Sequence, residues 1–156
     1  MLKETVTLAI HIRKIEANDK VEWLELYHAY LKFYESVPND FSTELVWSRL
    51  TKSDPEIQGL VAEENGEVVG ICHFHYQLST WSNTWNCYLE DLYVSEASRG
   101  QGAARALIAE VKKKAIEQGC TELFWITKES NAVARRLYDK VANVSDFIRY
   151  EISLED

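Results

Sequence analysis

Residues 94–107 read VSEASRGQGAARAL, the end of a strand-like run that passes through two glycines directly into a helical pattern. A turn of this kind suits an anion. First-turn helix amides have no partners inside the helix, and the macrodipole favours negative charge there. Gly100 and Gly102 allow the backbone to come close to a pyrophosphate, and Arg99 adds a charged donor at the same place. Glycines before a helix are also ordinary turn residues, and nucleotide-binding loops compete for the pattern. Two observations set those loops aside: the second glycine is followed by Ala103 and Ala104 rather than Lys and Ser or Thr, and neither sequence nor strand order fits a dinucleotide fingerprint with its distant acidic residue. His73 and His75, two apart on one strand face, have the spacing of a metal pair. No nearby Cys, His or carboxylate completes a ligand pattern, so packing or substrate contact is expected and a metal is not. His11 and His28 carry no signal. Cys72, Cys87 and Cys120 are odd in number and far apart, and read as reduced core thiols. A Cys nucleophile would need a His and an orienting Asn or Asp brought to it by the fold.

The elements that must position these residues follow from periodicity. IHIRKI at 10–15 alternates like a first strand with one buried face. After Asn18 and Asp19, which are plausible caps, Trp23, Tyr27, Tyr30, Leu31 and Tyr34 recur at helical spacing, and Pro38 is expected to stop that helix. FSTELVWSRL predicts a second helix capped by Ser42 or Thr43, with Leu45, Val46, Trp47 and Leu50 inward. IQGLVAEE, Asn65-Gly66 and EVVGICHFHYQ read as a β-hairpin with a type I′ turn. TWSNTW is a polar and aromatic loop, and NCYLEDLYV a further antiparallel strand. ALIAEVKKKAIEQG places Leu107, Ile108, Val111 and Ala115 on one helix face and stops at Gly119. TELFWIT predicts a short buried strand, NAVARRLYDKV a helix, and DFIRYEISL a last strand. The whole is a mixed sheet with helices on both faces, without repeats or linkers.

The chain has 156 residues, 46% of them hydrophobic, enough for one good core but not two, so residues 1–156 are expected to form a single domain. No run approaches the ~20 consecutive apolar residues of a membrane span, and the first residues lack a basic flank and cleavage site. A soluble, cytoplasmic protein without membrane partners is expected. Seventeen basic and twenty-five acidic side chains give a net charge of −8, which repels phosphate backbones and makes nucleic acid an improbable partner. The same charge also simply aids solubility.

Arg99-Gly100-Gln101-Gly102-Ala103-Ala104 matches the R/Q-x-x-G-x-G/A motif of the GNAT acetyltransferase superfamily. Tyr88-Leu89-Glu90-Asp91 before it, and NAVARRLY from Asn131 to Tyr138 after it, resemble the diamine (spermidine/spermine) acetyltransferases and related histone or polyamine acetyltransferases. The close resemblance covers residues 88–138, and the predicted element order agrees over nearly the whole chain. Glu96 stands where many members carry proline, and Ala104 replaces the commoner last glycine. Alanine is within the family pattern, and the proline is a turn preference rather than a contact group.

The resemblance implies an α/β fold of the α+β type, with a mixed, mostly antiparallel sheet of about six to seven strands and helices on both faces. It implies acetyl-coenzyme A as co-substrate. Leu92, Tyr93 and Val94 would pair their backbone with the pantetheine arm, and Gly100, Gln101, Gly102, Ala103, Ala104 and Arg105 would hold the pyrophosphate with Arg99. Asn131 and Ala134 would line the coenzyme from the opposite side. An alkylammonium with a pKa near ~10 must lose a proton before it attacks a thioester. Glu90 is the candidate base, directly or through a water, because the diamine acetyltransferases carry a glutamate at the matching position. Asp91 should point to the opposite face of a regular strand, unless a β-bulge intervenes. Tyr138 would donate to the departing thiolate, and a backbone amide near Leu92 would stabilise the oxyanion. Singly, these residues also read as solvated carboxylates, a helix cap at Asn131 and a core aromatic at Tyr138.

The acceptor, a small or peptidyl amine, is expected against the first two helices and their loop. There Tyr30, Phe33, Tyr34, Glu35 and Asp40 offer aromatic faces and carboxylates to a cation, with Asp91 nearby. A helical stripe places Tyr30 and Tyr34 in the core instead. The resemblance also suggests a homodimer, through the final strand, although DFIRYEISL reads equally as an internal sheet edge. The rival function is a CoA-binding sensor or interaction module that kept the fold and lost the chemistry, against which the presence of both Glu90 and Tyr138 argues.

Overall fold

The structure, a computed structural model, describes residues 9–155 apart from residue 82, so one position of the expected TWSNTW loop lies outside the described residues. The chain divides into two compact units, Met1–Ile126 and Thr127–Asp156. In the first, β1 (His11–Lys14), β2 (Gln58–Glu64), β3 (Glu67–Leu78), β4 (Trp85–Val94) and β5 (Glu122–Phe124) form one sheet in that spatial order. The first three pairings are antiparallel and β4–β5 is parallel. The helices are α1 (Lys20–Phe33), α2 (Asp40–Thr51) and α3 (Ala103–Glu117).

The mixed sheet is the one expected, with five strands among the described residues where the resemblance implies six to seven. The segment at 146–154, expected as a last strand, joins no ladder among the described residues. Alternation prepares a segment for a sheet, but only a neighbour's N–H and C=O groups make it a strand. TELFWIT contributes just Glu122–Phe124, half-buried rather than buried.

The hairpin turn is as read. Asn65 and Gly66 both take positive φ, 52° and 79°, as a type I′ turn requires, and Glu64 pairs with Glu67 across it. α1 ends earlier than Pro38. Glu35 is left-handed (φ 58°), its amide reaches the Lys32 carbonyl at 3.0 Å, and the Ser36 amide reaches Leu31 at 2.8 Å. These bonds close a Schellman motif at the helix end. α2 is capped by Asn39, whose Oδ1 accepts from the Ser42 amide at 3.1 Å, while Thr43 is buried inside the helix. Of its expected inward residues Trp47 and Leu50 are buried, but Leu45 faces out.

One core holds Ile15, Trp23, Leu26, Trp47, Leu50, Val61 and Ile71 between α1, α2 and the sheet. Leu107, Ile108, Val111 and Ala115 of α3 are buried as predicted, and α3 packs on β2, β3 and β4. β3 thus sends alternate residues to two helical layers. The start of α1 is tied to β1 by Arg13, which donates to both oxygens of buried Asp19 at 2.8 Å and to Glu63 at 2.8 Å. Arg13 holds the Asp19 carboxyl below the usual range.

Candidate active site

β4 carries the site. Its ladder with β5 runs only from Asn86 to Tyr88. From Leu89 onward one edge of β4 has no strand neighbour among the described residues. The other edge stays paired, with Leu92, Tyr93 and Val94 opposite Cys72, Ile71 and Gly70. A row of backbone groups is thereby offered to an extended, amide-bearing ligand.

Beyond β4 the chain makes the glycine turn. Gly100 and Gly102 have φ of 80° and 92°, and a Cβ at either would meet nothing within 4 Å. Glycine is therefore required by the backbone conformation rather than by crowding from the protein, and the space over the turn is open. Gly102 is the N-cap of α3 and no side chain caps the helix. The first helical bond there is from Ala106 to the Gly102 carbonyl at 3.0 Å, so the amides of Ala103, Ala104 and Arg105 precede the helical ladder. Buried Ala103 packs its methyl inward, which leaves its backbone as the part available to a ligand. Arg99 is held by a bond from Nε to the Val94 carbonyl at 3.2 Å, its guanidinium 5.5 Å from the Tyr93 ring centre. Gln101 and Arg105 lie exposed beside it.

The two carboxylates sit at a β-bulge. His73 pairs with Asp91 and Phe74 with Leu89, so Glu90 is the extra residue. The bulge overturns the expectation that Glu90 and Asp91 point to opposite faces. Asp91 Oδ2 is 2.8 Å from His73 Nδ1, and Glu90 Oε2 is 3.4 Å from His75 Nε2. Since His73 and His75 share a strand face, both carboxylates lie on it. Glu90 is 45% exposed, Asp91 18% and His73 only 1%.

That face is covered by α1. Trp23, Tyr27, Tyr30 and Tyr34 form an aromatic row with successive ring centres 5.0, 6.2 and 5.1 Å apart. Trp23 Nε1 donates to His73 Nε2 at 2.8 Å, and the Tyr30 phenol lies within the field of the Asp91 carboxylate. Burial, then the negative charges of Asp91 and Glu90, push the Tyr27 phenol up to about 12. Burial and Asp91 raise Tyr30 further. Of the expected acceptor residues, Tyr30 and Asp91 are close enough for the carboxylate to raise the phenol, and the Tyr34 ring lies beside Tyr30. Phe33 is exposed, Glu35 stands at the end of α1, and Asp40 opens α2. The periodicity had assigned Trp23 and Tyr27 to the helix stripe, and His73 to packing or substrate contact. His73 is too buried to touch a substrate, and its bonds to Trp23 and Asp91 depend on register, which spacing along the chain does not reveal.

Burial raises all three thiols, Cys87 to about 12. Thiols held in that form are poor nucleophiles, which argues against the cysteine alternative. In the second unit, α4 (Ala132–Val141) begins after Asn131, whose Nδ2 donates to Thr127 Oγ1 at 3.0 Å and does not cap the helix. Asn131, Ala134 and Tyr138, at i, i+3 and i+7, share one side of that segment.

Comparison with known proteins finds relatives over most of the chain. The model of the acetyltransferase (GNAT) family matches residues 23–142. The chain is 31% identical over 144 residues to the D-amino-acid N-acetyltransferase HPA3 of Saccharomyces cerevisiae, covering 91% of this chain and 89% of that protein. It is 37% identical over 84 residues to the thialysine N-epsilon-acetyltransferase of Bos taurus, covering 53% and 49% of the two. Among solved structures, a ribosomal-protein-alanine N-acetyltransferase from Brucella melitensis superposes with a TM-score of 0.77 at 25% identity, over 94% of this chain and 100% of that one.

Proposed function

The chain belongs to the acetyltransferase (GNAT) family and transfers acetyl from acetyl-coenzyme A to an amine; on that premise we propose how its residues divide the work and which amines it takes. The observation that carries the reading is the open, uncapped glycine turn at the end of a strand edge without a neighbour. The pyrophosphate lies on the amides from Gly100 to Arg105, with Arg99 and Gln101 beside them. The pantetheine arm runs along Leu92, Tyr93 and Val94, and Asn131 and Ala134 also serve the coenzyme. The thioester carbonyl is thereby aimed toward the β-bulge.

Asp91 and Tyr30 receive the acceptor's ammonium, with Tyr34 and Glu35 further along the same approach. Glu90, more exposed than Asp91, takes one proton directly or through a water and passes it to solvent. The freed lone pair attacks the thioester carbon, and an amide near Leu92 stabilises the oxyanion. As the C–S bond breaks, nitrogen gives up its second proton and the thiolate takes one from Tyr138, which solvent replaces. The sum is amide, free coenzyme thiol and one released proton.

Two adjacent carboxylates beside an aromatic row suit an aliphatic primary amine: a polyamine, a lysine-like side chain or an amino acid. HPA3 and the thialysine enzyme are named for acceptors of this kind. We further propose a single domain over residues 1–156 that acts as a cytoplasmic homodimer, with neither nucleic acid nor membrane as partner. Three free cysteines fit a reducing compartment and a net charge of −8 disfavours nucleic acid, and no described helix is long and apolar enough to cross a membrane.

The test is calorimetry with acetyl-coenzyme A beside a thiol-release screen of thialysine, spermidine, lysine, D-amino acids, aminoglycosides and histone-tail peptides. Coenzyme binding with thiol release by one amine class supports the enzyme. Binding without release from any acceptor supports the coenzyme sensor, and no binding removes both.

A further inference from the structure

His73 is 1% exposed, yet both ring nitrogens are engaged, and the two bonds have opposite sense. An indole N–H can only donate. Because Trp23 Nε1 faces His73 Nε2 at 2.8 Å, that nitrogen must carry the lone pair, and the ring proton resides on Nδ1. Nδ1–H then donates to Asp91 Oδ2 at 2.8 Å. Both bonds of the relay from Trp23 through His73 therefore point their donors toward Asp91, the acceptor at which it ends. His73 takes one of the carboxylate's roughly four lone-pair directions. Others remain for a cation, and Asp91 reaches the surface where His73 does not.

We infer that His73 is a positioning residue for amine acetylation: Trp23 fixes its tautomer, and His73 in turn holds the Asp91 carboxylate in the orientation that receives the acceptor's ammonium. The inference rests on the placement of Asp91 in the acceptor site. The charged and titratable groups around His73 are Asp91, Glu90 and His75 on the sheet and Tyr27 and Tyr30 on α1. The bulge is part of the device, because without the extra residue Glu90 and the matched pair His73–Asp91 would not bring both carboxylates to one face. A core histidine kept only for packing would tolerate any side chain of similar volume. A positioning histidine tolerates only one that accepts from Trp23 and donates to Asp91. Glutamine can do both, its carbonyl toward the indole and its amide toward the carboxylate, whereas leucine does neither.

The experiment has two readouts. In nitrogen-15 spectra of the intact protein, His73 should show the Nδ1–H tautomer, and Trp23→Phe should mix the tautomers. A predominantly Nε2–H ring in the wild type would overturn the inference without any assay. In kinetics, the acceptor is whichever of thialysine, spermidine and D-amino acids the wild type acetylates fastest. His73→Leu should lower kcat/KM for the amine about tenfold or more, as expected for a lost bond to a charged group, with the KM for acetyl-coenzyme A within about twofold. His73→Gln should restore most of the loss. Trp23→Phe keeps an aromatic ring in the core, and its penalty should vanish in an Asp91→Asn background, because it acts through that carboxylate. Equal penalties in the two backgrounds, or equal losses for the Leu and Gln variants, would reduce His73 to a packing residue. If Asp91→Asn itself leaves the amine parameters unchanged, or no acceptor is turned over, the acceptor-site reading has failed first and this inference falls with it.

Discussion

The turn from Arg99 to Ala103 and the cluster of Trp23, Tyr30, His73 and Asp91 both lie toward the C-terminal end of β4 and are built in opposite ways. The turn is local and made of backbone: two glycines at positive φ and a helix start without a side-chain cap. The cluster is non-local and made of side chains, drawn from α1, β3 and β4. Under the proposed function, a backbone site depends on conformation, so what it would hold is general, the oxygens of a diphosphate. A side-chain site depends on identity, so it would discriminate among amines.

The difference predicts separable failures. The largest concerns proton removal: Glu90→Gln should lower kcat by about a hundredfold and shift or flatten the rising limb of the pH–rate profile, while calorimetric affinity for acetyl-coenzyme A stays unchanged. An unaltered profile would assign the proton to Asp91 or bulk water. Tyr138→Phe should lower turnover about tenfold with little effect on coenzyme binding; unchanged turnover removes Tyr138 from its role. Gly102→Val should do the converse, weakening coenzyme binding about tenfold at a nearly constant amine KM, because a β-branched residue resists φ near 92°. A valine enzyme that binds coenzyme normally would break the contrast between the two regions.

Two smaller effects sharpen it. The raised Tyr27 pKa gives stability that is fully present below the phenol's ordinary value near ~10 and is lost as pH rises through about 12. Ultraviolet titration of Asp91→Asn should move that transition to lower pH, since one of the charges that raises it is gone. The smallest effect lies in a pair of helix ends. α1 and α3 both close with a Schellman motif, but the left-handed position is Glu35 in one and Gly119 in the other. Glu35→Gly should raise unfolding stability by up to about 1 kcal/mol through relief of that backbone conformation, read from denaturant midpoints. Lost amine turnover in the same variant would show that its side chain serves the acceptor.

What was legible along the chain was what neighbouring residues settle among themselves. Asn65-Gly66 takes the expected turn, the α3 stripe is buried as read, and Gly100 and Gly102 adopt the positive φ that an open glycine turn needs. Asp91 illustrates the limit. Strand alternation sends it away from Glu90, and one extra residue in β4 brings it back to the same face. Trp23 reads as core, which it is, and nothing in its spacing shows that its N–H meets a histidine from another element. The segment at 146–154 has the alternation of a strand but joins no ladder among the described residues.

From its residues alone the chain determined its family, its alternation of helices and strands, and a turn fit for a diphosphate, because short-range sterics and hydrogen bonding act between positions close in sequence. Only the tertiary structure decided which carboxylates share a face, which tautomer His73 adopts and how many strands the sheet keeps. Those outcomes depend on register and on partners from distant segments, and one residue's slip in register reverses the direction of every side chain that follows.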